Sequence, residues 1–304
     1  MASLTRWKIW FKMMIGKSEL HVNQPLGKFI SVDEIKGYYN DFTNKVLFDK
    51  KTEKIVDYIP LFTNDDGKKV VFPITVIQYA LGCYELFLET NDDVYLKKMI
   101  HCSEYVLSLI NADGSISCMY FFKDISNPYS AMCQGECVSL LARAYLETND
   151  KRFFDGALKA FNFLINEDHN QAVVKTFRNL KYCLYEFPDK TIVLNGYIYA
   201  LFGVYDAYLL FKNPEIKKIF DISSASLLSI IDDFDYNKWS FYDLAGNVSS
   251  KFYHKLHVVL LPALNLICNN KFKYWETRWY EGLKDKRLSR KMFWKKVKQK
   301  LIRK

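Results

Sequence analysis

Apolar and polar residues alternate along this chain with the period of α-helices, and the helical stretches come in pairs. The pentapeptide LETND occurs twice, at 88–92 and 146–150, each time between two such stretches. After the second copy, Phe154, Ala157, Leu158, Phe161 and Ile165 fall at i, i+3, i+4, i+7 and i+11, one face of a helix. Asn91 and Asn149 suit the left-handed residue that ends a helix. Asp92 and Asp150 suit the cap that starts the next, where a carboxylate accepts from free backbone N–H groups. Connections this short predict antiparallel hairpins. A third pair is read at 193–231, with Pro214 in a first turn. A fourth is read at 253–283, where Pro262 is expected to kink the first helix.

Hairpins repeated at this spacing must bury their faces on one another. The expected fold is therefore all-α: an α/α toroid, or incomplete α/α barrel, of about four hairpins. Each hairpin starts in the same direction, so the connectors 111–127, 167–190 and 232–251 lie at one end of the ring with the helix starts that follow them. Connectors of this length usually carry function. Before residue 73, KVLFD (45–49) and KIVDYIP (54–60) are candidate strands of a short β-hairpin.

Composition changes this picture at the ends. The chain has 304 residues, is 50% hydrophobic and carries a net charge of +9. Eleven Lys/Arg and one acid lie in 284–304, and four Lys/Arg and no acid in 1–17, so the body between them is acidic overall. The expected organisation is an arm (1–36), a toroid domain (37–283) and a tail (284–304). Trp7, Trp10, Phe11, Met14 and Ile15 make an apolar stripe beside Arg6, Lys8 and Lys12, and Phe293, Val297 and Leu301 make another in the tail. Basic amphipathic helices suit an anionic membrane surface; a solvated tail or docking of the N-terminal stripe on the toroid are the alternatives. No known nucleic-acid-binding module accompanies the charge, so no nucleic-acid partner is expected. The seven cysteines are an odd number set among apolar residues, and the basic start lacks a continuous apolar core. Together these point to a reducing cytoplasm, peripheral on the inner face of the membrane if the ends bind lipid. Oligomeric state is not read from the sequence, and a homodimer stays open.

The motifs at the connector end are SAMCQGECVSLLARAY (130–145), YEFP (185–188), VLNGYIYALFGVYD (193–206), FYDL (241–244) and YHKLH (253–257). In this order they resemble the C-terminal catalytic domain of the D-glucuronyl C5-epimerases, whose members read SAMAQG, EEYP, VLNGFIY, YDL and DYH-x-x-H. The resemblance covers roughly 37–270. It implies the toroid fold and inversion of carbon 5 of glucuronate within a polysaccharide such as a capsule or heparosan-like chain. It also implies that Tyr253 and Tyr242 are acid/base or charge-stabilising residues and that Glu186 stands beside them. Three positions depart from the family. Phe187 occupies the tyrosine of EEYP, Ala245 and Gly246 replace the Arg-His after YDL, and the spacing from Tyr242 to Tyr253 is shorter.

Epimerisation removes the proton next to a carboxylate and returns one to the opposite face, which needs two acid/base groups and donors to hold the developing charge. Since a phenyl ring has no exchangeable proton, Tyr185 is the candidate replacement for the family tyrosine: in an extended segment it points to the same side as Phe187, with Glu186 opposite. Gln134, Asn195, His254, Lys251 and Tyr129 are candidate sugar contacts, with helix capping or core hydrogen bonding equally open for Gln134 and Asn195. His254 and His257 have no third Cys/His partner nearby, so no metal is expected, and no cofactor motif is present. A catalytically silent glycan-binding protein and a uronate lyase remain as alternative functions.

Overall fold

A computed structural model describes Ser18, residues 21–64 and residues 66–302. The N-terminal stripe Trp7–Ile15 lies outside the described residues. Helix α1 (Thr43–Leu47) precedes four antiparallel hairpins: α2 (Pro73–Thr90) with α3 (Asp93–Ser108), α4 (Ala131–Thr148) with α5 (Lys151–Leu164), α6 (Leu194–Phe211) with α7 (Pro214–Ile230), and α8 (Lys251–Ile267) with α9 (Lys273–Lys284). A last helix, α10, spans Lys286–Ile302. The first helices of the hairpins form an inner row: α4 packs on α2 and on α6, and α6 on α8. Each second helix backs its own partner from outside. This is the α/α toroid.

Burial follows the layers. Every residue of α4 from Ala131 to Ala144, and of α6 from Leu194 to Ala207, is buried. Outer helix α3 buries only Tyr95, Lys98, Met99, Cys102, Ser103 and Val106, one stripe of an amphipathic helix. The LETND corners form as their chemistry requires. Asn91 and Asn149 are left-handed at φ 55° and 56°, and the carboxylates of Asp92 and Asp150 accept from Val94 N and Arg152 N. Helix α8 runs through Pro262 without a break. All seven cysteines are buried and unpaired.

The connectors hold three two-stranded pieces: β1 (Phe62–Thr63) with β2 (Lys69–Val70), β3 (Val174–Phe177) with β4 (Leu180–Leu184), and β5 (Asp235–Tyr236) with β6 (Trp239–Ser240), all antiparallel. The strands expected at 45–49 and 54–60 do not form. Residues 45–47 are helical in α1, where Phe42 and Val46 are drawn into the core and the Asp41 carboxylate accepts from Thr43 N at 2.7 Å.

The chain joins the body well before residue 37. From residue 21 it runs along the inner helices, with Tyr38, Asn40 and Phe42 fully buried. What holds it is a charged layer at one helical register. Glu85, Arg143 and Asp206 are each the thirteenth residue of α2, α4 and α6. Glu85 accepts from Tyr38 N at 2.8 Å, Arg143 donates to Gly37 O at 2.6 Å and to Asp206 at 2.7 Å, and Asp206 accepts from the Tyr39 hydroxyl at 2.8 Å. These buried charges satisfy backbone groups at one end of a segment whose next residues pair antiparallel with 25–27, through Gly27 N to Tyr39 O at 3.2 Å and Asp41 N to Pro25 O at 2.8 Å.

The basic tail is a docked helix. Leu288 and Met292 of α10 pack against Trp239 and Val248, and Lys295 lies 3.6 Å from the Tyr236 ring centroid. Phe293, Trp294 and Leu301 are exposed. Thus the face that docks is not the Phe293–Val297–Leu301 stripe but the one beside it.

Candidate active site

Three connectors and four helix starts meet at one end of the toroid. Strand β4 leads into Tyr185–Glu186, whose backbone is pinned on both sides: Tyr185 N donates to Val173 O at 2.8 Å, and Ala131 N, at the start of α4, donates to Tyr185 O at 2.9 Å. Glu186 then lies against the first turn of α6. A Cβ at Gly196 would meet Glu186 Cβ and Oε2 at 2.5 Å, so only glycine allows this approach. Tyr242 is carried by a loop that pairs with the residues before α6, through Leu194 N to Tyr242 O at 3.1 Å and Leu244 N to Ile192 O at 3.1 Å. That loop turns at Gly246, φ +76°, a left-handed position that glycine adopts without strain. The turn gives Gly246 a conformational role; nothing in the structure explains Ala245. Tyr253 is the third residue of α8, which Ser250 caps through Tyr253 N at 3.3 Å.

Glu186, Tyr242 and Tyr253 come together. The two tyrosine rings meet edge to face with centroids 4.8 Å apart, and both feel the charge of Glu186. Glu186 is 7% exposed and its Oε2 has no hydrogen-bond partner among the described residues. Burial pushes its carboxyl up to about 8. Burial, and after it the Glu186 charge, pushes both tyrosine hydroxyls above their usual range. Tyr242 and Tyr253 are partly exposed, so the group opens to solvent on their side.

Behind these three lies a layer that the sequence reading did not single out. Gln78, Glu136 and Tyr199 are each the sixth residue of α2, α4 and α6. Glu136 accepts from Gln78 Nε2 at 2.8 Å through one oxygen, and its other oxygen is buried without a partner among the described residues. Its carboxyl rises to about 8, mainly from burial, with the Glu186 charge adding to the rise. Tyr199 donates to Asn40 Oδ1 at 2.6 Å. Lys45, on α1, is drawn down to about 8 by burial, against the pull of Glu136. His21 Nε2 lies 3.3 Å from the Tyr253 hydroxyl, and its Nδ1 lies 2.8 Å from Ser18 Oγ. Burial first, then Lys45, lowers the His21 imidazole to about 4, so it is neutral at pH 7. Aligning the repeats residue by residue would have found Gln78, Glu136 and Tyr199. Nothing local marks His21 or Lys45.

The other expected site residues are placed as follows. Tyr185 faces away from the group: it lies under Lys175 Nζ, 5.5 Å from the ring centroid, and close to Cys183 and Tyr197, with its hydroxyl raised to about 12 by burial. The connector turns so that Glu186, and not Tyr185, looks toward Tyr242 and Tyr253. Gln134 is fully buried and fastens the 111–127 connector, accepting from Ile116 N at 2.9 Å and donating to Gly114 O at 2.9 Å. His254 is also fully buried. It stacks on Trp239 at 3.8 Å, its Nδ1 accepts from Ser240 N at 3.0 Å, and its Nε2 lies 3.2 Å from Trp279 O. Neither Gln134 nor His254 can touch a sugar. His254 and His257 share the Ser240 hydroxyl, and no three His, Cys, Asp or Glu residues among the described ones are placed to hold a metal ion. Asn195, at the start of α6, has a buried Oδ1 without a partner among the described residues. Tyr129 packs edge-on against Phe163 and His169, and Lys251 is exposed at the first position of α8.

Such a group can move protons: a buried carboxyl with one free oxygen, two hydroxyls beside it, and a neutral imidazole touching one of them. The chain is 31% identical over 153 residues to the D-glucuronyl C5-epimerase of Caenorhabditis elegans, covering 44% of this chain and 25% of that protein. It thus spans about a quarter of that relative's length. It is 25% identical over 221 residues to an uncharacterised protein, MJ1128, of Methanocaldococcus jannaschii, covering 63% of this chain and 71% of the other. Among solved structures it is similar to the unsaturated glucuronyl hydrolase of Streptococcus agalactiae, with a TM-score of 0.48 and 12% identity over 70% of this chain and 57% of that one. The profile of the family described as D-glucuronyl C5-epimerase C-terminus matches residues 108–281, which hold Glu186, Tyr242 and Tyr253. The chain therefore belongs to the D-glucuronyl C5-epimerase C-terminal family.

Proposed function

We propose that this protein epimerises carbon 5 of uronate residues within a polysaccharide, converting D-glucuronate to L-iduronate in a capsule or heparosan-like chain made at the cytoplasmic membrane. The observation that carries this reading is the buried carboxylate oxygen of Glu186, without a hydrogen-bond partner among the described residues, beside the hydroxyls of Tyr242 and Tyr253. Ionised Glu186 takes the proton from carbon 5, and the electron pair of that C–H bond spreads into the sugar carboxylate. The Tyr242 hydroxyl and the Lys45 ammonium hold the charge that develops there. The Tyr253 hydroxyl then gives its proton to carbon 5 from the opposite face. Glu186 is left protonated and Tyr253 deprotonated. The cycle closes when Glu186 releases its proton to water and Tyr253 regains one through the His21 contact at 3.3 Å. In this scheme Phe187 needs no proton of its own, because Glu186 supplies the second acid/base group.

The test is incubation with uronate polysaccharides in heavy water, with deuterium at carbon 5 read by NMR. Exchange with appearance of the inverted sugar is the expected result. An unsaturated product absorbing in the near ultraviolet would replace epimerisation by elimination. Saccharide binding without exchange would replace it by a silent binding role.

A further inference from the structure

Docking of α10 creates a second feature beside the proposed site. A groove of about 420 Å³ opens between the first turn of α8, the end of α9 and the first two turns of α10. Lys251, Lys286 and Arg290 line it, together with Phe252, Ser289 and Phe293. None of the three cations pairs with an acid among the described residues. Asp285 is engaged elsewhere: it caps α10, accepting from Arg287 N at 2.8 Å and Leu288 N at 3.0 Å. The groove is therefore a concave surface of two aromatic rings and three positive charges that pair with no acid among the described residues.

We propose that this groove is a subsite for the acidic sugars that flank the reacting uronate, so that α10 forms part of the path of an anionic polysaccharide. The inference rests on the epimerase reading for what occupies the neighbouring site. Three observations favour this occupant. First, the groove adjoins the Tyr253 group: Phe252 lines it, and the Phe252 ring lies 5.3 Å from that of Tyr253 and 4.9 Å from that of His21. Second, a chain with recurring carboxylates needs recurring cations, and the apolar faces of its sugar rings suit aromatic platforms. Third, the cations of the groove lie apart from the outward apolar residues of α10: Phe293 lines the groove, whereas the exposed Trp294 and Leu301 do not. The α10 side of the groove lies beyond residues 108–281, so it is a feature of this chain outside the matched family region.

The test measures binding of a defined uronate polysaccharide by calorimetry, at low and moderate salt, for the wild type and Lys286→Ala/Arg290→Ala. A second variant, Ser289→Glu, places an acid in the groove without removing a cation. Both are expected to weaken binding at least tenfold and to flatten its salt dependence. Both should also lower the preference for polymer over a uronate disaccharide in carbon-5 exchange. Wild-type affinity and polymer preference in both variants would overturn the groove, while exchange in the wild type would leave the epimerase reading intact. Conversely, polymer binding that depends on the groove, with no exchange at all, would overturn the epimerase reading and keep the groove as a glycan site. Vesicles containing phosphatidylglycerol form the last arm. If they bind the wild type and lose the variants while polymer affinity is unchanged, the groove is a lipid site and the proposal fails.

Discussion

Replacing Glu186 by glutamine removes the proposed base while keeping nearly the same shape. The wild-type carboxyl is raised to about 8, so at pH 7 only about a tenth of it is ionised. If it is the base and the Lys45 ammonium, itself drawn down to about 8, is also needed, carbon-5 exchange should rise about threefold between pH 7 and pH 8 and fall again above that. Glu186→Gln should lose about 10²-fold or more of the activity, as for other general bases, and lose the rise with it. Glu136 titrates in the same range, so the wild-type limb alone does not identify the base, whereas the mutant does. Stability gives a second readout that needs no substrate. Between the ordinary carboxylate value and about 8 the folded protein holds a proton at Glu186 that the unfolded chain has released. The Glu186 contribution is thus fully present below pH 4.5 and fades as pH rises toward 8, by up to about 1.4 kcal/mol per pH unit. Glutamine has no such loss. Urea unfolding should therefore show Glu186→Gln gaining on wild type as the pH is raised from 5 to 8. Exchange within tenfold of wild type, with the alkaline rise preserved, would refute the assignment. A stability difference that does not change with pH would refute the burial argument.

Other consequences follow from the same geometry. Gly196→Ala should cut carbon-5 exchange at least tenfold and lower the melting temperature, because the new Cβ displaces Glu186 and overpacking of about 1–3 kcal/mol outweighs the gain of about 1 kcal/mol that alanine brings to α6. Arg143→Met should cost about 3–5 kcal/mol in urea unfolding by leaving Asp206 buried and unpaired, and adding Asp206→Leu should recover part of it. Gln299 of α10 accepts from Val248 N at 3.0 Å and donates to Gly246 O at 2.9 Å, which braces the Tyr242 loop from behind. Gln299→Ala should therefore cost about 1–2 kcal/mol and lower kcat more than it raises KM, a pattern expected of misplaced Tyr242.

The fold was legible because each level of the sequence points the same way. The LETND corners combine a left-handed asparagine with an aspartate cap, and the stretches between them carry helical periodicity, so hairpins and their direction follow from local chemistry. The strands expected at 45–49 and 54–60 failed for the opposite reason. KVLFD has an apolar run that fits a strand or a helix, and the choice is made by the Asp41 cap and by the core that receives Phe42 and Val46. The tail shows a similar limit. Periodicity finds the Phe293–Val297–Leu301 stripe, but the docked face is Leu288 and Met292, selected by Trp239 and Val248 more than forty residues earlier. Single-sequence patterning gives a face without its partner.

The site was legible only where a motif carried it. Glu186, Tyr242 and Tyr253 sit in recognisable motifs, yet the direction of Glu186 could not be read from alternation along an extended segment. The turn after β4 is set by hydrogen bonds to residues 131 and 173 and by the space left at Gly196. The layer behind them had a quieter signal. Counted from their helix starts, α2, α4 and α6 place Gln78, Glu136 and Tyr199 sixth, and Glu85, Arg143 and Asp206 thirteenth. Seven residues are two helical turns, so within each helix the two positions share a face. In a toroid that face meets the interior. Polar residues repeated at such a register on helices otherwise buried all round cannot be solvated surface, and each costs free energy unless it is paired. At the thirteenth position the pairing is internal, with the chain segment at 37–39 held among the charges. At the sixth position Glu136 keeps an oxygen without a partner among the described residues, as Glu85 Oε2 does at the thirteenth. One register thus holds the inner helices to the chain segment at 37–39, and the other sets a buried polar layer under Glu186, Tyr242 and Tyr253.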